Sequence, residues 1–216
     1  MRSLLAAALV VIASTGAVVA ETELSFYGGI QGAPHSGVSG SDPGGLGDFD
    51  FNAAWEGRSF EMPPHYGLRY TRWTSETFGW GIDFNHVKVY ADDATLADNG
   101  VSRLEFSDGL NILTVNAYRR FPNAGWAFKP YVGAGIGISV PHVEFTTAGG
   151  DTFEYQLTGP AVQWVAGASY PLNDRWSVFG EYKGTYSVNE ADLSNGGSLS
   201  TNIVTNSFNI GVSLGF

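Results

Sequence analysis

Eight stretches of this chain alternate apolar with small or polar residues at a strict period of two, and that pattern limits what the chain can become. Leu24, Phe26, Gly28 and Ile30 oppose Glu23, Ser25, Tyr27, Gly29 and Gln31, and Tyr66, Leu68 and Tyr70 oppose His65, Gly67, Arg69 and Thr71. Phe78, Trp80, Ile82 and Phe84 oppose Gly79, Gly81, Asp83 and Asn85, and Leu113, Val115 and Ala117 oppose Thr114, Asn116 and Tyr118. The same holds around Val132–Ile138, Val162–Tyr170, Trp176–Tyr186 and Phe208–Phe216. Each stretch is a strand with one greasy face, and eight such faces need a common apolar neighbour, either a core or lipid.

The ends of the chain favour lipid. Met1 to Ala20 reads as a cleavable export signal, with Arg2 at its start, an apolar run from Leu4 to Ala13, and the small residue Ala20 at the cut. The mature chain is expected to begin at Glu21 and to end on an outward aromatic, Phe216. No later apolar run reaches the ~20 residues that a membrane helix requires, so any crossing is made by strands. With 29 Gly, 15% charged residues and no Cys, the chain has no thiol chemistry and no disulfide framework. Its net charge of -10, more negative still without Arg2, argues against nucleic acid as a partner.

These features predict an all-β fold: one eight-stranded antiparallel transmembrane β-barrel over residues 21–216, a monomer in the bacterial outer membrane. Short turns near Ser75, Asn123 and Asn173 belong in the periplasm, and long polar loops near Ser41, Asp98, Gly149 and Asn195 belong outside. The polar stretch Ala91–Ser107 is read as one of those loops. Tyr70, Trp73, Trp80, Trp126, Tyr170 and Trp176 are expected to form an aromatic belt on the short-turn side. The lumen of so small a barrel is filled by side chains, so Arg69, Asp83, Arg120, Glu181 and Lys183 should pair with one another rather than line an open pore.

Chemistry is most plausible at the outer end. All four histidines, His35, His65, His86 and His142, fall on the outer halves of their strands, close to Glu61, Asp92, Asp108 and Glu144. Imidazoles among carboxylates suit a divalent transition metal. Parity turns His65 into the lumen and puts His86 on the face of Phe84, against lipid or headgroups, so the four cannot share one ion. The Gly133–Gly137 run lacks the helix a nucleotide loop needs, and His35 beside Ser36 is no hydrolytic dyad.

Four segments, Ser59–Arg69 (SFEMPPHYGLR), Leu104–Asn111 (LEFSDGLN), Tyr131–His142 (YVGAGIGISVPH) and Phe179–Tyr186 (FGEYKGTY), resemble small outer-membrane proteins of the lipid A oxidase type. That resemblance implies an oxygen-dependent oxidation of the proximal glucosamine of lipid A to an aminogluconate in the outer leaflet, with lipopolysaccharide as partner. Under it, Glu61, His65 and Asp108 are candidate catalytic residues, His65, His142 and Glu144 candidate ligands of a divalent transition metal, and Arg69 and Asn111 candidate contacts to sugar or phosphate oxygens. The alternative is a non-enzymatic structural or adhesive barrel whose outer acids bind divalent ions that bridge to lipopolysaccharide.

Overall fold

The computed structural model describes residues 21–216; the export signal read in Met1–Ala20 lies outside them. Eight long strands form the wall: β1 (Glu21–Gly32), β5 (Tyr66–Trp73), β6 (Phe78–Ala91), β7 (Arg103–Arg120), β8 (Lys129–Thr147), β10 (Gly159–Pro171), β11 (Trp176–Asp192) and β12 (Ser198–Gly215). All neighbours are antiparallel, and β1 pairs with both β5 and β12, which closes the ring of eight wall strands. No helix among the described residues is long and apolar enough to cross a membrane; the strands do it.

Four short strands and one helix decorate the outer end. The hairpin of β2 (Ser36–Asp42) and β3 (Gly47–Ala53) pairs with the top of β12, β4 (Trp55–Glu56) pairs with the top of β6, and β9 (Gly150–Tyr155) with the top of β8. Helix α1 (Asp93–Asn99) starts on an Asp92 cap, whose carboxylate accepts from the Thr95 N–H, and ends at Gly100 in the left-handed region. The stretch Ala91–Ser107, expected to be loop, therefore holds a helix and the first turns of β7.

The wall has two zones. In the lower zone outward side chains are apolar and exposed, among them Phe26, Ile82, Val115, Ile136 and Ile210, while the lumen face is polar. In the upper zone the phase inverts: Val87, Val89, Leu104, Phe106, Ile112, Val143, Phe145 and Ile203 point inward and form a buried core with Val38 of the hairpin. Only the lower zone matches lipid on its outside. A span needs roughly 9–11 tilted residues, and β7 has 18, so its outer third stands above the bilayer.

The lower lumen is plugged as the sequence predicts. Arg69 donates to Asp83 at 2.8 Å and to Glu181 at 2.6 Å, and Lys183 donates to Asp83 at 2.8 Å. Tyr27 and Tyr131 add hydroxyl donors to Asp83 and Glu181, each at 2.6 Å. The cavity beneath, lined by residues such as Ser25, Thr71 and Ser169, measures about 30 Å³, room for little more than a water. Two expectations are corrected. Arg120 pairs with Glu21 at 2.7 Å at the periplasmic rim rather than with the plug. Trp73 is buried inside, its ring 4.2 Å from the Arg120 guanidinium, because it shares the parity of Arg69; Trp80, Trp126, Tyr170 and Trp176 do face outward.

Candidate functional site

The polar outer face of the upper zone is built by β6, β7, β8 and β9, directly above the lipid-facing residues Phe84, Leu113 and Ile138. The key irregularity is in β7. Glu105 pairs with Glu144 and Leu110 with Pro141, so the four residues between on β7 oppose only His142 and Val143. The surplus emerges as a bulge at Ser107-Asp108-Gly109, a device that re-aims side chains beside functional sites. Gly109 has φ +116, and a Cβ there would lie 2.4 Å from His86 Nδ1, so the bulge needs glycine. Tyr155 pins it from β9 by donating to the Asp108 carbonyl at 3.1 Å.

The bulge delivers Asp108 and Ser107 over His142 and Glu144. His142 Nδ1 lies 3.1 Å from Glu144 Oε1 and 4.0 Å from Asp108 Oδ2. Ser107 Oγ donates to Glu144 Oε1 at 2.7 Å, and Arg103 Nη1 donates to Oε2 at 3.0 Å. Phe153 and Tyr155 of β9 meet the imidazole edge-on, with centroids at 4.3 and 4.7 Å. Both His142 and Glu144 are buried, whereas the Asp108 side chain is 48% exposed at the rim. One donor atom from each of the three falls within 4.8 Å of the others.

Glu105, unremarked in the sequence, stands directly across from Glu144 on the same face. Burial, and then the adjacent Glu144 carboxylate, raise the Glu105 carboxyl above its usual range. Like charges opposite each other are unfavourable, and the Arg103 guanidinium, 3.0 Å from Glu144 and 3.7 Å from Glu105, offsets part of that repulsion. Adjacent ligands of an ion bound at about 2.1 Å sit roughly 3 Å apart. The His142–Glu144 pair already has that spacing, and Asp108 on its exposed bulge needs to close by about an ångström. The donor set therefore fits a divalent metal.

The other predicted site residues do not join this group. His65 is 3% exposed in the lumen, its Nδ1 2.9 Å from the His86 carbonyl and its Nε2 2.8 Å from Asn209 Oδ1, so both nitrogens are engaged and it cannot share an ion with His142. Arg69 is locked in the plug, 4% exposed, with no reach to sugar or phosphate outside. Glu61 is exposed on the segment that covers β6, where its backbone carbonyl accepts from Lys88 at 2.9 Å. Asn111 does face the patch, 2.9 Å from His86 Nδ1. His86 has the parity of Phe84 as expected, but it is covered, stacked on Tyr66 at 4.9 Å, rather than open to lipid.

The electrostatics of the neighbours complete the patch. Burial lowers the ammonium pKa of Lys88. Burial, then the Glu105 and Glu61 carboxylates, push the Tyr90 phenol up to about 12, so it stays protonated at neutral pH.

A barrel closed by β1–β12 pairing, with a lipid-facing lower band and long outer extensions, matches a known sequence family and known folds. Residues 3–216 match the family model described as "Outer membrane protein beta-barrel domain". The chain belongs to this outer-membrane β-barrel family. Membership places the barrel in the bacterial outer membrane, as its solved neighbours are. OprG from Pseudomonas aeruginosa superposes with a TM-score of 0.51 at 13% identity, covering 90% of this chain and 95% of that one. Outer membrane protein AlkL, solved in lipid bilayers, gives 0.51 at 16% identity over 96% and 95%. Neisserial surface protein A gives 0.50 at 14% identity over 89% and 96%. At such identities these likenesses establish the fold alone. No curated protein matches the chain in sequence.

Proposed function

We propose that this barrel is a monomeric lipid A-modifying oxidase that works on outer-leaflet lipid from the outside of its own wall. The observation that carries the reading is position: the Asp108–His142–Glu144 group faces sideways, immediately above the apolar band, at the height where headgroups lie. Three of the four segments that resemble lipid A oxidases meet there, through the 59–65 cover, the 107–109 bulge and His142. Exposed apolar side chains flank the patch, Phe60 and Met62 on one side and Phe153 and Leu157 on the other, which suits a lipid approached in the membrane plane.

The reaction removes two electrons and two protons from the C1 hemiacetal of the proximal glucosamine, with dioxygen as acceptor. Water then opens the resulting lactone to the aminogluconate, a net gain of one oxygen atom. Asp108, His142 and Glu144 would hold a divalent transition metal, with Glu105 as a further carboxylate. One imidazole among carboxylates suits a borderline-hard redox ion, which supplies the electron-transfer chemistry that side chains lack. The chain's own residues orient: Ser107 and Arg103 fix the Glu144 carboxylate, and Phe153 and Tyr155 hold the His142 ring while excluding water on one side.

The test is mass spectrometry of lipid A incubated with refolded barrel in air, with and without chelator. A gain of one oxygen mass that chelator removes supports the reading; unchanged lipid A with metal-supplemented, folded protein refutes it. A second reading, a structural or adhesive barrel whose acids bridge through divalent ions to lipopolysaccharide, draws on the same rim-placed Asp108 and predicts metal-dependent lipid binding without any mass change.

A further inference from the structure

The cations of this chain are matched unevenly along the barrel axis. At the outer end and in the lumen, Arg58, Arg69, Arg103 and Lys183 each lie against a carboxylate, and Lys88 donates to the Glu61 carbonyl. At the periplasmic end Arg120 takes up Glu21 and Glu23. Arg72, Arg119, Lys129 and Arg175, all at that same end, have no ion-pair partner among the described residues. Two of them close apolar rows. The outward residues of β7 run Leu113, Val115, Ala117 and then Arg119, and those of β5 run Leu68, Tyr70 and then Arg72, and both arginines are exposed. In register, Arg72 stands opposite Trp80 and Arg119 opposite Phe78. The two arginines therefore flank the last outward aromatics of β6, two strand spacings or roughly 10 Å apart across the wall.

Beside Arg119 the turn between β7 and β8 leaves an open groove of about 550 Å³, walled by Phe121, Pro122, Trp126 and Pro130, with no carboxylate in its lining. The Phe121 ring lies 5.8 Å from the Arg119 guanidinium, and Trp126 is 61% exposed at the rim. A cation at the end of a membrane strand reaches water by stretching past the apolar edge, which accounts for its being tolerated there. It does not account for the carboxylates of a chain of net charge -10 leaving this face uncovered. An apolar row that ends on a free guanidinium is complementary to a molecule with an apolar tail and an anionic head. The leaflet at this end is phospholipid, and its phosphate is a planar match for the guanidinium fork. Without a carboxylate in the groove, nothing there pairs with a headgroup cation, so a net-negative headgroup fits best. We propose that the Arg119 groove, with Arg72 as a second arm, holds the phosphate of one anionic phospholipid of the periplasmic leaflet, its chains lying on the Val115 and Phe78 rows. The outer acids do not oppose this, because they stand across an apolar band of roughly 25 Å, well beyond the screening length of about 8 Å. The site is at the opposite end from the Asp108–His142–Glu144 group and is independent of the oxidase reading.

The experiment places the refolded barrel, residues 21–216, in nanodiscs of equal phosphatidylglycerol and phosphatidylcholine and counts the lipids that stay bound by native mass spectrometry. The species carrying one lipid is expected to hold phosphatidylglycerol in excess. That excess should fall about fivefold in Arg119→Gln and in Arg72→Gln, each first shown to be folded by its heat-modifiable gel mobility, and stay unchanged in Arg58→Gln at the outer end. In the parent it should also shrink in about 1 M ammonium acetate, where charges are screened within about 3 Å. Equal retention of the two lipids, an excess unchanged in both folded arginine variants, or an equal fall in Arg58→Gln overturns the site. Displacement by glycerol 3-phosphate, which has the phosphate and no chains, overturns the lipid as occupant. If neither arginine variant refolds, the salt series decides, and an excess that survives 1 M salt overturns the proposal.

Discussion

Replacing Asp83 with asparagine should be among the most damaging conservative changes in the barrel. Asp83 is fully buried and accepts from Arg69 at 2.8 Å, Lys183 at 2.8 Å and Tyr27 at 2.6 Å. With Glu181 these groups make a neutral quartet of two cations and two carboxylates. Asp83→Asn leaves one uncompensated positive charge in a packed lumen and turns an amide NH₂ toward an ammonium or guanidinium that can only donate. Removing one partner of a buried ion pair costs about 3–5 kcal/mol, and the structure places this case toward the upper half of that range. Restoring neutrality with Asp83→Asn/Lys183→Met should recover part of the loss, so the double variant is expected to be more stable than the single one. The assay is reversible urea unfolding of the refolded barrel in phosphocholine vesicles, followed by tryptophan fluorescence and gel mobility. A single variant within about 1 kcal/mol of the parent, or a double variant no better than the single, would refute the claim that the lumen is held by a desolvated charge network.

Gly109→Ala should cost about 1–3 kcal/mol, since φ +116 and the 2.4 Å approach to His86 both exclude a Cβ; unchanged urea stability with unchanged metal binding would show that the bulge is not constrained. Asp42 tethers the hairpin tip by accepting from Thr147 at 2.6 Å, the Leu46 N–H at 2.8 Å and Asn195 at 2.5 Å. Burial raises its carboxyl, but these bonds outweigh burial and hold it below 3.8. The tether's contribution is therefore complete above pH 3.8 and is lost as pH falls through the lowered value, and Asp42→Asn should raise hydrogen exchange in β2 and β3 at neutral pH, read by mass spectrometry. Glu105 works with the opposite sign. Its raised carboxyl favours the metal-free fold below 4.5, a contribution lost as pH rises through the higher folded value, and because the ion displaces that proton, Mn²⁺ affinity measured by EPR should climb through the same window. Affinity that is flat with pH would separate Glu105 from the metal site.

How much of this was legible in the sequence depends on which side of the bilayer boundary a residue sits. Below it, the alternation of Phe78–Asn85 or Val132–Ile138 reads correctly, because lipid outside and charges inside impose one phase over the whole span. Above it the outside is water and the inside is a packed core, so the same strand inverts. In β6 the inward residues change from Asp83 and Asn85 to Val87 and Val89, and in β8 from Gly137 and Ser139 to Val143 and Phe145. An inverted phase joined to a polar helix looks like loop, which is why the top of β7 is not legible in the sequence. The site suffers from the same cause. His142, Glu144 and Asp108 were identifiable as residue types, but only the bulge brings Asp108 over the other two, and a two-residue surplus between paired strands leaves no mark in hydrophobic periodicity. Parity puts His65 and Arg69 in the lumen, where they are; what parity does not show is that Asp108, His142 and Glu144 gather on the outer face.

The proposed oxidase carries its reactive group on the outer wall and not in the lumen. The most direct measurement compares His142→Ala with His65→Ala, both refolded and metal-supplemented, for the one-oxygen mass gain on lipid A in air. The outer-wall site predicts that His142→Ala abolishes the gain while folded His65→Ala retains it; loss of oxidation in folded His65→Ala with activity preserved in His142→Ala would contradict it.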